Sequence, residues 1–179
     1  MVCKTTSTRN RAGFTLVEFL VTLAVSSLLF LAVAVLGLYS GRSFVGLINY
    51  TDLDSSSRNA LDRMTRDVRQ VNQLTASTTN SLTFEDWDGA QLRYVYSPSA
   101  RTLSRIKGAT TDVLLTECNS VTFSIFQRNP IGGTYNQFPT GTPATTKLIN
   151  VTWRCSRKIL GTTMNTENVQ TAKIVIRKQ

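Results

Sequence analysis

The run from Phe14 to Leu38 constrains this chain more than any other feature. It holds 25 consecutive residues with one ionisable side chain, Glu18. As a helix rising about 1.5 Å per residue, it would reach about 37 Å. That exceeds the roughly 30 Å hydrocarbon core of a bilayer. The run therefore reads as a transmembrane helix, which satisfies its own backbone in lipid. Lys4, Arg9 and Arg11 precede it and no acidic residue does. This bias predicts a cytoplasmic N-terminus and an extracytoplasmic body. A secretory signal peptide cut near Ala32-Val33-Ala34 competes with this reading. Its apolar core would be much longer than the usual ~7–15 residues.

Glu18 needs a reason. A central acidic residue in a membrane helix costs roughly 2.5–3.5 kcal/mol on insertion scales. One turn from the start of the run, Glu18 lies near the interface and costs less. It also faces the positive end of the helix dipole, a gain of about 0.3–1 kcal/mol. No Lys or Arg occurs from 12 to 41, so the helix offers no cationic partner. Snorkelling to the headgroups would accommodate the charge, but it leaves the residues just before it unexplained.

Those residues are Gly13-Phe14-Thr15-Leu16-Val17-Glu18. The string closely resembles the prepilin signature of type IV pilins and type II secretion pseudopilins. The resemblance implies that a prepilin peptidase cuts between Gly13 and Phe14 and that the new amine of Phe14 is N-methylated. It also implies that Glu18 meets the amine of an adjacent subunit and sets the assembly register. The implied partners are prepilin peptidase, other pilin or pseudopilin subunits, the inner membrane and its assembly platform. The implied location is a single-pass inner membrane protein with a periplasmic C-terminal domain, passing into a pilus or pseudopilus. No cofactor is implied.

Helical patterning continues beyond Leu38. Leu61, Met64, Val68 and Val71 recur at steps of 3 and 4, the mark of an amphipathic helix. Arg58–Asp62, Asp62–Arg66 and Arg63–Asp67 read as i,i+4 pairs on its wet side. One helix is expected from about Thr15 to Leu74. Gly37, Gly41 and Gly46 each cost it about 0.8–1 kcal/mol relative to Ala, so a bend or melted turn is expected near them. The helix lacks the mid-membrane Pro of many major pilins.

After Ala76 the texture changes to short alternating runs. Strands are expected at 81–86 and 90–97 around Asp88-Gly89, a hairpin signal. Others are expected at 101–107, 112–116, 121–128, 147–157 and 170–177. The fold class is α+β and pilin-like: one long N-terminal helix, half in membrane and half amphipathic, packed on an antiparallel sheet. Its parts are a cleaved leader at 1–13, a transmembrane half at 14–38, an amphipathic half at 39–75 and a β domain at 76–179. The helix end RNALDRMTRDVRQV, the pair LTFEDWDGAQLRYVY and the return strand TLSRI resemble the larger minor pilins and minor pseudopilins by pattern. Residues 129–146 read as a long exposed loop, pinned by Tyr135 and Phe138.

The chain has no His, which removes His-based nucleophilic and metal sites. It has three Cys, at 3, 118 and 155, without a Cys-x-x-Cys pair. Cys118 and Cys155 would lie outside the cytoplasm, where disulfides persist. If Val121, Phe123 and Ile125 face inward with Ile149, Val151 and Trp153, Cys155 opposes Asn119. A Cys118–Cys155 bond then needs a bulge or break near Asn119, and the pairing stays open. Glu85, Asp86 and Asp88 form an acidic turn, read as solvated rather than as a Ca²⁺ site, so no metal site and no catalytic residue is assigned.

The chain carries 20 Lys and Arg against 11 Asp and Glu; without the three leader cations, 17 against 11 leaves +6. The favoured function is a structural, non-enzymatic minor pilin or pseudopilin. The residual charge keeps a DNA-binding tip subunit as an alternative, without a block of like charges to mark a nucleic-acid patch. A membrane-anchored domain of unrelated function is the third reading.

Overall fold

The computed structural model describes Gly13 and residues 15–133, 136–157 and 167–177. The chain divides into two compact units, residues 1–43 and 44–179. Helix α1 spans Leu16–Gln70. It holds an apolar stretch long enough to cross a membrane, none of it buried within the chain. Gly37 and Gly41 lie within uninterrupted helix, as does Gly46, so the expected melted turn is corrected. Three glycines at about 1 kcal/mol each do not outweigh the hydrogen bonds that a continuous helix keeps.

In the second unit α1 ends at Gln70, four residues short of the expected Leu74. The Asn72 amide bonds Glu85 O at 2.8 Å, and Leu74 is buried and pairs with Phe84. Val71 and Leu74 fit a helical stripe as well as a strand, and the ladder decides. Strand β1 is thus Gln73–Ser77, and it begins inside the segment assigned to helix by pattern.

The β structure is antiparallel and forms two sheets. The first runs β1-β2-β3-β4-β5, with β2 Ser81–Glu85, β3 Gln91–Ser97, β4 Thr102–Lys107 and β5 Thr110–Leu115. The second runs β7-β6-β8-β9, with β6 Cys118–Arg128, β7 Gln137–Pro139, β8 Leu148–Ser156 and β9 Glu167–Val175. The single expected sheet is divided between β5 and β6, where Glu117 takes the left-handed φ of 58°. The stretch 129–146 is not simply loop. It contains β7 and a 3-10 turn at Pro143–Thr145, and Pro139 is tolerated because β7 is an edge strand. Phe138 stands opposite Gln127 in this ladder, and Tyr135 lies outside the described residues.

The helix face toward the sheets reads Leu53, Ser57, Ala60, Met64 and Val68, all buried. Leu61, expected in this stripe, is only partly buried. Two polar contacts fix the helix on different sheets. Trp153 Nε1 of β8 donates to Ser57 Oγ at 3.2 Å, and Ser57 donates to Asn168 Oδ1 of β9 at 2.9 Å. Further along, Tyr94 of β3 and Arg105 of β4 donate to Asp67 Oδ2 at 2.7 and 2.6 Å. Asp67 is therefore turned inward, not on the wet side. Arg63 reaches its other oxygen only at 3.8 Å. Arg58 pairs with Asp54 rather than Asp62, and Arg66 bonds the Asp62 carbonyl.

In the second sheet Val121, Phe123 and Ile125 pair with Trp153, Val151 and Ile149, and all six are buried. Cys118 pairs with Cys155 and Ser120 with Arg154, which makes Asn119 the extra residue of a bulge. Cys118 and Cys155 are joined by a disulfide. Arg101 Nη2 steadies the bulge through Glu117 O at 3.0 Å, Asn119 Oδ1 at 2.6 Å and Ser156 O at 3.1 Å.

Two outcomes test this core. Asp67→Ala leaves the Arg105 guanidinium, 8% exposed, without its main partner, and should cost about 3–5 kcal/mol in urea unfolding of the full chain in detergent. Tyr94 should resist ionisation, because burial first and the Asp67 carboxylate second push its hydroxyl above the ordinary range. The unfolded phenol ionises near pH ~10 and the folded one higher. The contribution is thus complete below ~10 and lost as pH rises beyond it. Ultraviolet titration should show the Tyr94 phenol ionising only with unfolding. Denatured but unreduced, the full-length chain should expose one reactive thiol, Cys3. Cys118→Ser should lower stability by about 2–4 kcal/mol.

Candidate processing and assembly site

The N-terminal junction is built on a helix start. Gly13 lies just before α1, and a Cβ added there would meet no atom within 4 Å. Phe14 lies outside the described residues, as do Cys3 and the basic residues Lys4, Arg9 and Arg11. Thr15 precedes the first helical residue, Leu16. The Phe19 amide closes the first turn onto Thr15 O at 3.1 Å.

Thr15 and Glu18 cap this turn reciprocally. The Glu18 amide donates to Thr15 Oγ1 at 3.3 Å. In return Glu18 Oε2 accepts the Thr15 amide and the Thr15 hydroxyl, each at 3.2 Å. This is a capping box, which satisfies donors that a helix start otherwise leaves bare. At a lipid interface such bare amides are costly. The carboxylate also stands in the first turn, where the helix dipole favours negative charge. Glu18 Oε1 makes no hydrogen bond among the described residues.

The capping role is the functional feature that sequence reasoning missed. Its signal was present as Thr15-x-x-Glu18 ahead of an apolar run. Glu18 thus has a local duty besides any role between subunits.

Cys118 and Cys155 lie in the second sheet, within the other compact unit. Beside them Arg157 holds Asp52 of α1 at 2.5 Å and also pairs with Glu117. Glu117 first and Asp52 second raise the Arg157 guanidinium further above its ordinary range. The arrangement ties the bulged corner to the helix and presents no nucleophile with a base.

The acidic hairpin is not a solvated turn throughout. Asp86 is buried, and its Oδ1 accepts the Trp87 amide at 2.8 Å. Lys107 Nζ reaches Asp86 at 2.5 Å and Asp88 at 3.1 Å, and lies 5.8 Å from the Trp87 ring. The Ala90 amide first, and Lys107 next, hold the Asp88 carboxyl below its usual range. Gly89 supplies the positive φ of 77° that the turn requires. The lysine occupies the place a cation would take. Among the described residues no group of three or more His, Cys, Asp or Glu side chains could hold a metal ion.

Comparison with known families places a prokaryotic N-terminal methylation motif on residues 8–34. No curated protein matches the chain. The match covers residues 8–13, including Gly13, then Phe14, Glu18 and most of the apolar run. The chain therefore carries a prepilin-type N-terminal methylation motif on a pilin-like α+β fold, consistent with the type IV pilin and pseudopilin superfamily.

Proposed function

We propose that the protein is a minor pilin or pseudopilin, a structural subunit that enters or primes a type IV pilus or a type II secretion pseudopilus. The observation that carries the reading is the methylation motif at residues 8–34, set at the start of a helix that continues into an antiparallel β domain. Prepilin peptidase would cut after Gly13 on the cytoplasmic side. Phe14 would become the methylated first residue, its amine still charged. The apolar run would hold the subunit in the inner membrane with the β domain in the periplasm.

Glu18 has two roles in this proposal. In the free subunit it caps α1 through Oε2. In the assembly its carboxylate receives the Phe14 amine of an adjacent subunit and fixes axial register. A misregistered subunit would leave both charges without a partner in an apolar bundle, where each is costly.

Mass spectrometry of the mature chain from its host membrane should give N-methyl-Phe14 as the first residue. A different terminus would refute the processing step. Glu18→Val should still insert and be cleaved, yet be lost from filaments or the initiating complex. Normal incorporation would refute the register role. Thr15→Ala separates the two duties. It should lower the stability of the helix start by about 1 kcal/mol, read as faster amide exchange of the first turn, while retaining incorporation.

A further inference from the structure

The second sheet turns the face carrying Phe123, Val151 and Trp153 to the core that it shares with α1. At one end of its opposite face, Arg128 of β6 stands beside Gln137 of β7, and Leu148 of β8 beside Val175 of β9. A cavity of about 400 Å³ opens there. Its positive groups are Arg128 and Lys147, and among the described residues no carboxylate lines it. The ion pairs among the described residues are made by Arg58, Arg63, Arg105, Lys107 and Arg157, and neither cavity cation is paired among them. Lys173 adds a third cation at the rim by donating to Gln137 Oε1 at 3.2 Å.

The remaining wall is amide. Gln127, Asn136 and Gln137 line the cavity, and the Gln127 and Asn136 amides make no hydrogen bond to other described residues. Asn129 has a different task, since its amide bonds Ile131 N at 2.9 Å and Gly132 O at 3.3 Å and shapes the wall. The floor is apolar, formed by Leu148 and Val175. We infer that this cavity binds an acidic sugar, a uronic-acid unit of an anionic polysaccharide.

Each part of the site answers one part of that ligand. The two cations receive a carboxylate in charge-assisted hydrogen bonds. The amides, each both donor and acceptor, match ring hydroxyls. Leu148 and Val175 receive the C–H face of the ring. The volume falls within the roughly 300–1,000 Å³ of small-molecule sites. Inorganic phosphate would use the cations and leave the amides and the floor idle. Among the described residues that line the cavity none is aromatic, so they offer no stacking platform of the kind single-stranded nucleic acids use. The site is independent of the assembly reading, which concerns the other end of the chain.

The test uses the full chain in a nonionic polyoxyethylene detergent, which carries no sugar. Calorimetry with tri-galacturonic acid should show saturable one-to-one binding that weakens with salt. Arg128→Gln and Lys147→Gln should each lower affinity about tenfold or more, with unfolding midpoints unchanged because neither side chain holds a partner among the described residues. Neutral maltotriose should bind at least about tenfold more weakly, as one charged contact requires. Absence of saturable binding, or binding that survives both substitutions, would overturn the inference. So would inorganic phosphate or a thymidine oligomer that binds as tightly as tri-galacturonate.

Discussion

The β domain depends on one helix face that serves two sheets. β5 and β6 are consecutive in sequence, yet they belong to different ladders. The stripe from Leu53 to Val68 supplies a common apolar cover, and residues from both sheets join it in one core. Apolar burial alone would let the helix slide, because it has no direction. Ser57 and Asp67 remove that freedom. Ser57 is held by a tryptophan and an asparagine of the second sheet, and Asp67 by a tyrosine and an arginine of the first. Ten residues apart on one helix, they fix its rotation and its advance. Ser57 is buried and Asp67 half-buried, and the buried partners of each would be costly to leave bare.

Much of this is legible in the sequence. The apolar run and the alternation in β3 depend on strong local periods, and the inward set of β6 and β8 follows from a period of two. That same period required an irregularity at Asn119 if the cysteines were to pair, and the ladder carries its bulge at that residue. The reading failed where local pattern is ambiguous. Val71 and Leu74 suit a helix or a strand, and only the pairing of Leu74 with Phe84 decides. Arg63–Asp67 has good helical spacing, but Arg105, 38 residues away, takes the aspartate. The division into two sheets turns on the backbone of Glu117, a residue with no sequence bias toward a left-handed φ.

The net charge misled in a similar way. A surplus of six suggests a field spread over the body. Arg105, Lys107 and Arg157 are instead committed to carboxylates inside the fold, so they hold elements together and project little. Others lie outside such pairs, and two of these are neighbours. Arg128 and Lys147 stand together at the open end of the second sheet with amides around them. Composition counts all of these cations equally, whereas the fold sorts them into ties and a site.

The same distinction applies to Glu18. A carboxylate reserved wholly for a neighbouring subunit would leave the free chain with an unpaired charge in the membrane face and bare amides at the helix start. The capping box removes part of both costs in the monomer, through Oε2 alone. Since Oε1 is open, an incoming amine need not break the cap to reach the charge. In the proposed assembly the exchange would then be small in energy. The helix start would remain formed while the partner docks, and the ion pair would add to an organised turn. Selectivity for register would come from the charge, while the turn that presents it is provided by Thr15.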